Sequence, residues 1–189
     1  MTSRTIGATI VVTTLVTTCA AVPLRAQARA DSMGGAVGQW WSMLQRQFVT
    51  LAEAMPEEKY SFKPTGGAFD NVRTFAEQVK HVACANVAFF NEIEHKTPPE
   101  HCETGGPSPA KTKAELVAYL RESFAYGDKT IREMTPANAM DPVDGPYGGP
   151  TTRLGITTLA VWHGADHYGQ VVVYLRMNGI VPPASAGTK

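Results

Sequence analysis

Apolar residues recur at three- and four-residue steps along four stretches of this chain, and that spacing predicts four amphipathic α-helices. The first predicted helix runs from about Met33 to Met55 and ends before Pro56. Its apolar stripe consists of Val37, Trp40, Trp41, Leu44, Phe48, Leu51 and Met55. Because Trp40 and Trp41 are adjacent in sequence, they cannot both face the same core.

The second and third predicted helices each begin with a capping box. In this motif a threonine side chain accepts from the backbone N–H of a glutamate three residues later, and that glutamate reaches back to the threonine N–H. Thr74 pairs with Glu77 in the second helix, and Thr112 pairs with Glu115 in the third. The Thr-Pro-Pro sequence at 97–99 stops the second helix.

The remaining boundaries follow from proline and glycine. The third helix ends near Pro136, and residues 141–150 contain three prolines and three glycines, which predicts a loop. A fourth helix spans about 152–178, with Gly179 placed to end it in the left-handed conformation. No stretch shows strand-like alternation of useful length, and no internal repeat is evident. The pattern therefore predicts an all-α protein, a four-helix bundle.

Length and charge exclude some classes of function but do not indicate one. The chain of 189 residues fits one domain, and its hydrophobic fraction of 43% is enough for one core. Lys plus Arg number 17 and Asp plus Glu number 17. This balance gives no basis for nucleic-acid binding, so any function depends on a local site.

Residues 1–28 have the pattern of a signal peptide. A positive charge precedes an uncharged, apolar, threonine-rich stretch at 5–22, and an Ala-Gln-Ala sequence ending at Ala28 matches the small-x-small cleavage pattern. We expect cleavage after Ala28 and export to the periplasm or medium, which leaves 29–189 as the folded domain. An uncleaved membrane anchor and lipidation at Cys19 are the alternatives.

Three histidines provide the candidate chemistry. His163 and His167 lie four residues apart in the fourth helix, so their imidazoles share one face one turn apart, together with core-type residues. Such a pair suits a first-row metal but needs a further ligand. His81, beside the apolar stripe of the second helix, is the natural third ligand, and Gly164 would leave space or allow close backbone approach. The structural alternative is three hydrogen-bonded core histidines.

Two cysteines remain after the predicted signal peptide. Cys84 and Cys102 either form a disulfide, which export permits, or stay free thiols, with Cys84 able to approach the metal as a thiolate. His95 and His101 flank a Pro-Pro turn and are expected to be exposed loop residues. Together with Cys102 they are candidates for a second metal site.

The sequence resembles the DinB family, the DinB/YfiT-like metalloenzymes, over about 36–183. The most specific part is 163–183, HGADHYGQVVVYLRMNGIVPP. The family's last helix typically reads His-x-x-x-His, then Gly-Gln, Tyr-Leu-Arg and Gly-Ile-Pro-Pro. Residues 55–64, MPEEKYSFKP, resemble the link after the first helix of the family, and 73–83, RTFAEQVKHVA, resemble its second helix.

The resemblance implies a four-helix bundle with a divalent metal ion at one end. The family's ligands are one histidine from helix two and two from the last helix, which here correspond to His81, His163 and His167. Zinc or nickel is the expected metal, with iron or copper as alternatives. Known activities in the family include thiol-dependent transferases. Because small thiols are made in the cytosol, export places a thiol cosubstrate in doubt.

Two classes of function fit these features. One is a metal-dependent enzyme of the hydrolase or transferase type, acting on an unknown small-molecule substrate. Its candidate catalytic residues are Asp166, as a base or as an imidazole-orienting group, and Asn86 and Tyr174, as substrate-positioning groups. The other is a non-catalytic metal-binding or interaction module that forms a homodimer through an exposed helix face. An open metal position in a pocket distinguishes the first from the second.

Overall fold

Four α-helices account for most of the residues that this computed structural model describes, which are 32–146 and 149–187. They are α1 (Met33–Ala54), α2 (Phe75–Ile93), α3 (Lys113–Arg132) and α4 (Arg153–Met177). The all-α prediction and the number of helices are confirmed. The predicted signal peptide, 1–28, lies outside the described residues. Within the described ranges, no helix combines the length and apolar character that a membrane span requires.

The capping boxes predicted for α2 and α3 are both present. The backbone N–H of Glu77 donates to the Thr74 hydroxyl at 3.3 Å, and the N–H of Thr74 donates to the Glu77 carboxylate at 2.7 Å. Thr112 and Glu115 form the same pair of bonds at the start of α3. These local bonds satisfy backbone donors that have no partner inside the helix, so they fix where each helix begins.

The predicted loop at 141–150 is in part a β-hairpin, so the sequence interpretation was wrong there. Strand β1 (Pro142–Asp144) pairs antiparallel with β2 (Pro150–Thr152), and Val143 lies opposite Thr151. Both members of a two-stranded ribbon are edge strands, and an edge strand tolerates a proline that cannot donate to the ladder. The buried Val143 side chain ties the hairpin to the core.

Contacts between the helices define an up-down-down-up bundle. Lys113 at the start of α3 donates to the carbonyl of Glu53 at the end of α1 at 2.7 Å, so these helices are antiparallel. Helices α2 and α4 are also antiparallel, because Gln78 donates to Gln170 at 2.9 Å while Tyr174, further along α4, donates to the carbonyl that precedes Thr74.

The other two neighbouring pairs run parallel. Asn86 of α2 donates to Ser123 of α3 at 3.2 Å, and Thr130, further along α3, donates to Glu94 just after α2. Leu44 and Phe48 of α1 contact Gly164 and Tyr168 of α4 in the same order along both helices. The order around the bundle is therefore α1, α3, α2, α4, and a long crossover joins α2 to α3. This arrangement places the only histidine of α2 beside the two of α4.

Trp41 is the centre of the core. It is fully buried, its indole N–H donates to the carbonyl of Phe124 at 3.0 Å, and its ring packs against Phe90 and Phe124. Trp40 is 55% exposed, which confirms that the two tryptophans face different sides of α1. Gly127 on α3 lies under this cluster, where a Cβ would be 2.6 Å from the Trp41 ring and would also collide with Phe90.

We predict that Gly127→Ala lowers the free energy of unfolding by about 1 to 3 kcal/mol, because an added methyl group overpacks a filled aromatic core. Gly38→Ala is the matched control, since Gly38 is also inside a helix but its Cβ would meet only Ile131, at 3.6 Å. There the higher helix propensity of alanine should raise stability by about 0.5 to 1 kcal/mol. Urea unfolding measures both; equal effects would contradict the packing argument.

Candidate metal centre

The three histidines predicted as ligands come together between α2 and α4. His81 of α2 places its Nε2 at 3.2 Å from Nε2 of His163 and at 3.1 Å from Nε2 of His167. One ligand atom from each of the three residues lies within 4.8 Å of the other two. All three side chains are buried. Because α2 and α4 are adjacent and antiparallel, residues far apart in sequence reach one point.

Two of the imidazole rings are oriented by hydrogen bonds to carbonyl oxygens on the side away from the cluster. Nδ1 of His81 donates to the backbone carbonyl of Cys102 at 2.7 Å, and Nδ1 of His167 donates to the side-chain carbonyl of Gln78 at 2.8 Å. The Gln78 amide is oriented by its own donation to Gln170 at 2.9 Å. Outer hydrogen bonds of this kind fix the tautomer and aim the other nitrogen at a metal ion.

The hydrogen bonds made by Nδ1 determine whether Nε2 of the same ring carries a proton. A carbonyl oxygen can only accept, so the neutral rings of His81 and His167 carry their protons on Nδ1. Their Nε2 atoms then present lone pairs to each other at 3.1 Å with no proton between them. A shared cation removes that repulsion. Three imidazoles around tetrahedral zinc, with bonds of about 2.1 Å, would have nitrogens about 3.4 Å apart, so the residues present fit a metal ion.

Burial keeps the imidazoles neutral. Desolvation, followed by the neighbouring imidazoles, lowers the pKa of His163 to about 3 and that of His167 to about 4. Desolvation also lowers the pKa of His81. The Arg73 guanidinium contributes to all three shifts. Since a metal binds the unprotonated ring, the site needs no proton release near neutral pH.

Comparison with known proteins identifies the family of this chain. A family model for the DinB superfamily matches residues 41–171, more than half of the chain.

The chain belongs to the DinB superfamily.

Solved DinB-like structures have the same fold at low sequence identity. A DinB-like protein from Bacillus cereus is 17% identical, with a TM-score of 0.65, and the match covers 82% of this chain and 97% of that one. A member of the DinB family from Exiguobacterium sibiricum is 16% identical, with a TM-score of 0.59 and coverage of 78% and 92%. At these identities the likeness shows the fold alone. No curated protein matches the sequence.

The three candidate catalytic residues of this DinB-superfamily chain occupy different places. Asp166 is exposed on α4, accepts from Gln170 at 2.9 Å, and acts electrostatically on His163. Tyr174 is buried, and its hydroxyl donates to the carbonyl of Arg73 at 2.9 Å. Asn86 points to α3, where it donates to Ser123. None of the three is brought into hydrogen-bond contact with the histidine cluster, and their catalytic roles stay predictions.

Gly164 allows close approach of two helices. A Cβ on Gly164 would lie 2.5 Å from Cδ2 of Leu44, so α1 packs directly on the backbone of α4 beside His163. Of the two reasons that the sequence offered for a mid-helix glycine, the structure therefore supports backbone approach at this position. The close packing holds the helix turn that carries His163.

The loop after α2 resolves the cysteine alternatives. Cys84 and Cys102 form a disulfide, with their Cα atoms 5.3 Å apart, so neither is a free thiol or a thiolate ligand. His95 and His101 are exposed, as expected, and both have positive φ angles, 54° and 59°. With Cys102 in the disulfide, the second metal site considered from sequence loses its thiolate.

Sequence reasoning missed the groups that orient the ligands. Gln78 lies three residues before His81 on the same helix face, and this i, i+3 spacing was a usable signal for it. The Cys102 carbonyl and the Arg73 guanidinium had no comparable signal. Nε of Arg73 donates to the carbonyl of Glu103 at 2.9 Å, next to the carbonyl that holds His81.

The lowered pKa values predict acid sensitivity of the metal-free protein. Below about pH 6.5 the unfolded chain binds protons at these imidazoles, whereas folded His163 binds its proton only near pH 3. The unfolded state then holds more protons, so the free energy of unfolding falls as the pH falls. For His163 alone we expect a loss of about 1 to 2 kcal/mol between pH 7 and pH 5.

Urea unfolding in the presence of a chelator measures this loss. His163→Gln should reduce the difference between the two pH values, whereas His101→Gln, which changes an exposed ring, should keep the wild-type difference. An unchanged pH dependence in His163→Gln would contradict the prediction.

Proposed function

We propose that this DinB-superfamily protein binds one divalent metal ion through His81, His163 and His167 and acts as an exported metal-dependent enzyme. The observation that carries the proposal is the 3.1 Å contact between Nε2 of His81 and Nε2 of His167. The single N–H of each neutral ring, at Nδ1, donates to a carbonyl oxygen outside the cluster. A buried contact between two lone pairs is unfavourable in the metal-free protein, and a cation makes it favourable.

The composition of the ligand set favours catalysis over a purely structural role. Three protein ligands leave coordination positions for water or substrate, whereas structural zinc sites use four protein ligands. A bound zinc ion lowers the pKa of its water and polarises a carbonyl or phosphoryl oxygen. Within the chain, Gln78 and the Cys102 carbonyl orient two of the ligands, and Phe89 makes a T-shaped ring contact with His163.

Zinc and nickel are the metals that we propose first, since neutral imidazoles accept both, with iron and copper as alternatives. Hydrolase or transferase chemistry on a small molecule is the proposed reaction class. Export rests on the signal-like pattern at 1–28 and agrees with the Cys84–Cys102 disulfide, which persists in oxidising compartments. Intact mass of the protein from its native host tests export; a retained Met1 would count against cleavage after Ala28.

The alternative function is a non-catalytic metal-binding module. It would bind the same ion at the same three residues but would leave no position for an exchangeable ligand. Water exchange or azide binding at a cobalt-substituted site, followed by visible absorption, separates the two functions. A spectrum that azide does not change would favour the non-catalytic module.

We predict that His81→Ala loses most of the metal while α-helical content stays unchanged, because the ring ligates at the rim of the core and does not fill it. His95→Ala and His101→Ala, which alter exposed loop histidines, should bind as well as wild type. Metal analysis of protein purified without a His tag should give one ion per chain for wild type. The metal should also stabilise the fold, by about 2.7 kcal/mol at 100 times its dissociation constant.

The proposal fails if His81→Ala retains a full equivalent of metal. It also fails if wild type, stripped and reloaded with zinc or nickel, shows no increase in Tm.

A further inference from the structure

The disulfide and the hydrogen bond that orients His81 join the same two parts of the chain. Cys84 lies one turn after His81 on α2, and it is bonded to Cys102 in the segment between α2 and α3. The backbone carbonyl of Cys102 accepts from Nδ1 of His81 at 2.7 Å. A covalent bond and a ligand-orienting hydrogen bond therefore run from one residue of this segment to two points on α2 that are three residues apart.

The segment that carries Cys102 turns sharply, and we name residues 101–106 the cysteine turn. Its first residue, His101, has a φ angle of 59°, and Gly105 and Gly106 at its end have φ angles of 94° and 69°. Glycine adopts such left-handed angles without a steric penalty, whereas histidine does not. The conformation at His101 is therefore imposed by the contacts of the turn as a whole.

Hydrogen bonds inside the cysteine turn make it a unit with one orientation. The N–H groups of Thr104 and Gly106 donate to the carbonyl of His101 at 3.0 and 2.8 Å. The N–H of Gly105 donates to the Cys102 carbonyl at 2.9 Å, so this oxygen accepts from inside the turn as well as from His81. Because these bonds close the turn on itself, any movement of the turn relative to α2 would carry the Cys102 carbonyl away from His81.

Glycines allow the cysteine turn to lie directly against α2. A Cβ added to Gly106 would collide with Sγ of Cys84, and one added to Gly105 would lie 2.7 Å from Cδ of Lys80. Cys84 is fully buried, so its bond to the turn is shielded from solvent. The disulfide thus lies at the centre of the surface on which the turn meets the helix.

The nearest polar link between the turn and the start of α2 is weaker. Nε of Arg73 donates to the Glu103 carbonyl at 2.9 Å, but this bond is exposed, and water competes for both partners. A disulfide cannot be replaced by water, and a bond between residues 18 positions apart limits the conformations open to the chain between them. The covalent bond is therefore the stronger constraint on where the turn lies.

We infer that the Cys84–Cys102 disulfide positions a ligand of the proposed metal site. It fixes the cysteine turn on α2, directs the Cys102 carbonyl at Nδ1 of His81, and thereby keeps Nε2 of His81 aimed at the metal. The inference rests on the proposed function, since it concerns one of the three ligands. His167 provides an internal contrast, because its Nδ1 donates to Gln78 of α2 and not to the cysteine turn.

Nitrogen-15 NMR of the metal-free protein, with labelled histidine side chains, tests the positioning role without any metal. The variant is Cys84→Ala combined with Cys102→Ala, which keeps the Cys102 carbonyl but removes the covalent bond. The Nδ1–H signal of His81 should be protected from exchange in wild type and lost in the double variant. The Nδ1–H signal of His167 should stay protected in both, since Gln78 still accepts from it.

Zinc competition titration measures the consequence for the site. We expect the zinc affinity of the double cysteine variant to fall about 10- to 100-fold, as for the loss of an outer contact of a ligand. Thr112→Ala is the matched control, because it removes the side-chain cap of α3 and lowers stability at a place outside the cysteine turn. It should bind zinc as tightly as wild type.

A second substitution distinguishes positioning from a general loss of stability. His101→Gly relieves the left-handed strain at the start of the cysteine turn, so the turn can adopt its native form without the covalent bond. In the double cysteine variant this change should recover about fivefold to tenfold in zinc affinity. In wild type, where the disulfide already holds the turn, it should change the affinity less than twofold. Equal effects in the two backgrounds would contradict the inference.

The remaining outcomes separate the inference from the proposed function. If the double cysteine variant keeps both the His81 signal and the zinc affinity of wild type, the positioning role is overturned while the metal site stands. If the His167 signal is lost together with that of His81, the disulfide stabilises the whole bundle and the local role is likewise overturned. If wild type binds no zinc, the proposed function fails, and the NMR comparison alone still decides whether the disulfide orients His81.

Discussion

The contact between three buried imidazoles is the constraint on which the functional part of this structure depends. The Nδ1–H groups of His81 and His167 each donate to a carbonyl oxygen outside the cluster, and the Nε2 atoms of these two rings lie 3.1 Å apart. Such an arrangement is costly in a low-dielectric interior unless a cation is shared. The bundle must therefore hold α2 and α4 rigidly enough to keep the cluster closed. The packing of the bundle meets this requirement for a rigid contact between α2 and α4.

Three features outside the cluster supply this rigidity. The Trp41 core joins α1 to α2 and α3, so that α2 cannot shift independently. Gly164 lets α1 lie directly on the turn of α4 that carries His163. The Cys84–Cys102 disulfide fastens the crossover segment to α2 and places a carbonyl behind His81. Core packing, a helix crossing and a covalent bond thus act on the same site.

Much of the fold followed from local pattern. Helix ends were predictable because capping boxes such as Thr74 with Glu77 are formed by residues three apart, whose geometry depends only on the helix itself. The exposure of either Trp40 or Trp41 followed from helical periodicity, but which of them is buried depended on Phe90 and Phe124. The hairpin around Val143 was missed because its strands are three residues long, too short for alternation to show.

For the site, the sequence by itself determined that His163 and His167 share one face of a helix, since their spacing is one turn. The position of His81 beside the apolar stripe of the second helix made it the candidate third ligand, and the family resemblance supported that choice. Only the tertiary structure decided that the three nitrogens converge, that Gln78 and the Cys102 carbonyl hold two of the rings, and that burial lowers the pKa of each. These properties depend on the antiparallel contact between α2 and α4, which brings together residues more than 80 positions apart, and no local pattern encodes such a distance.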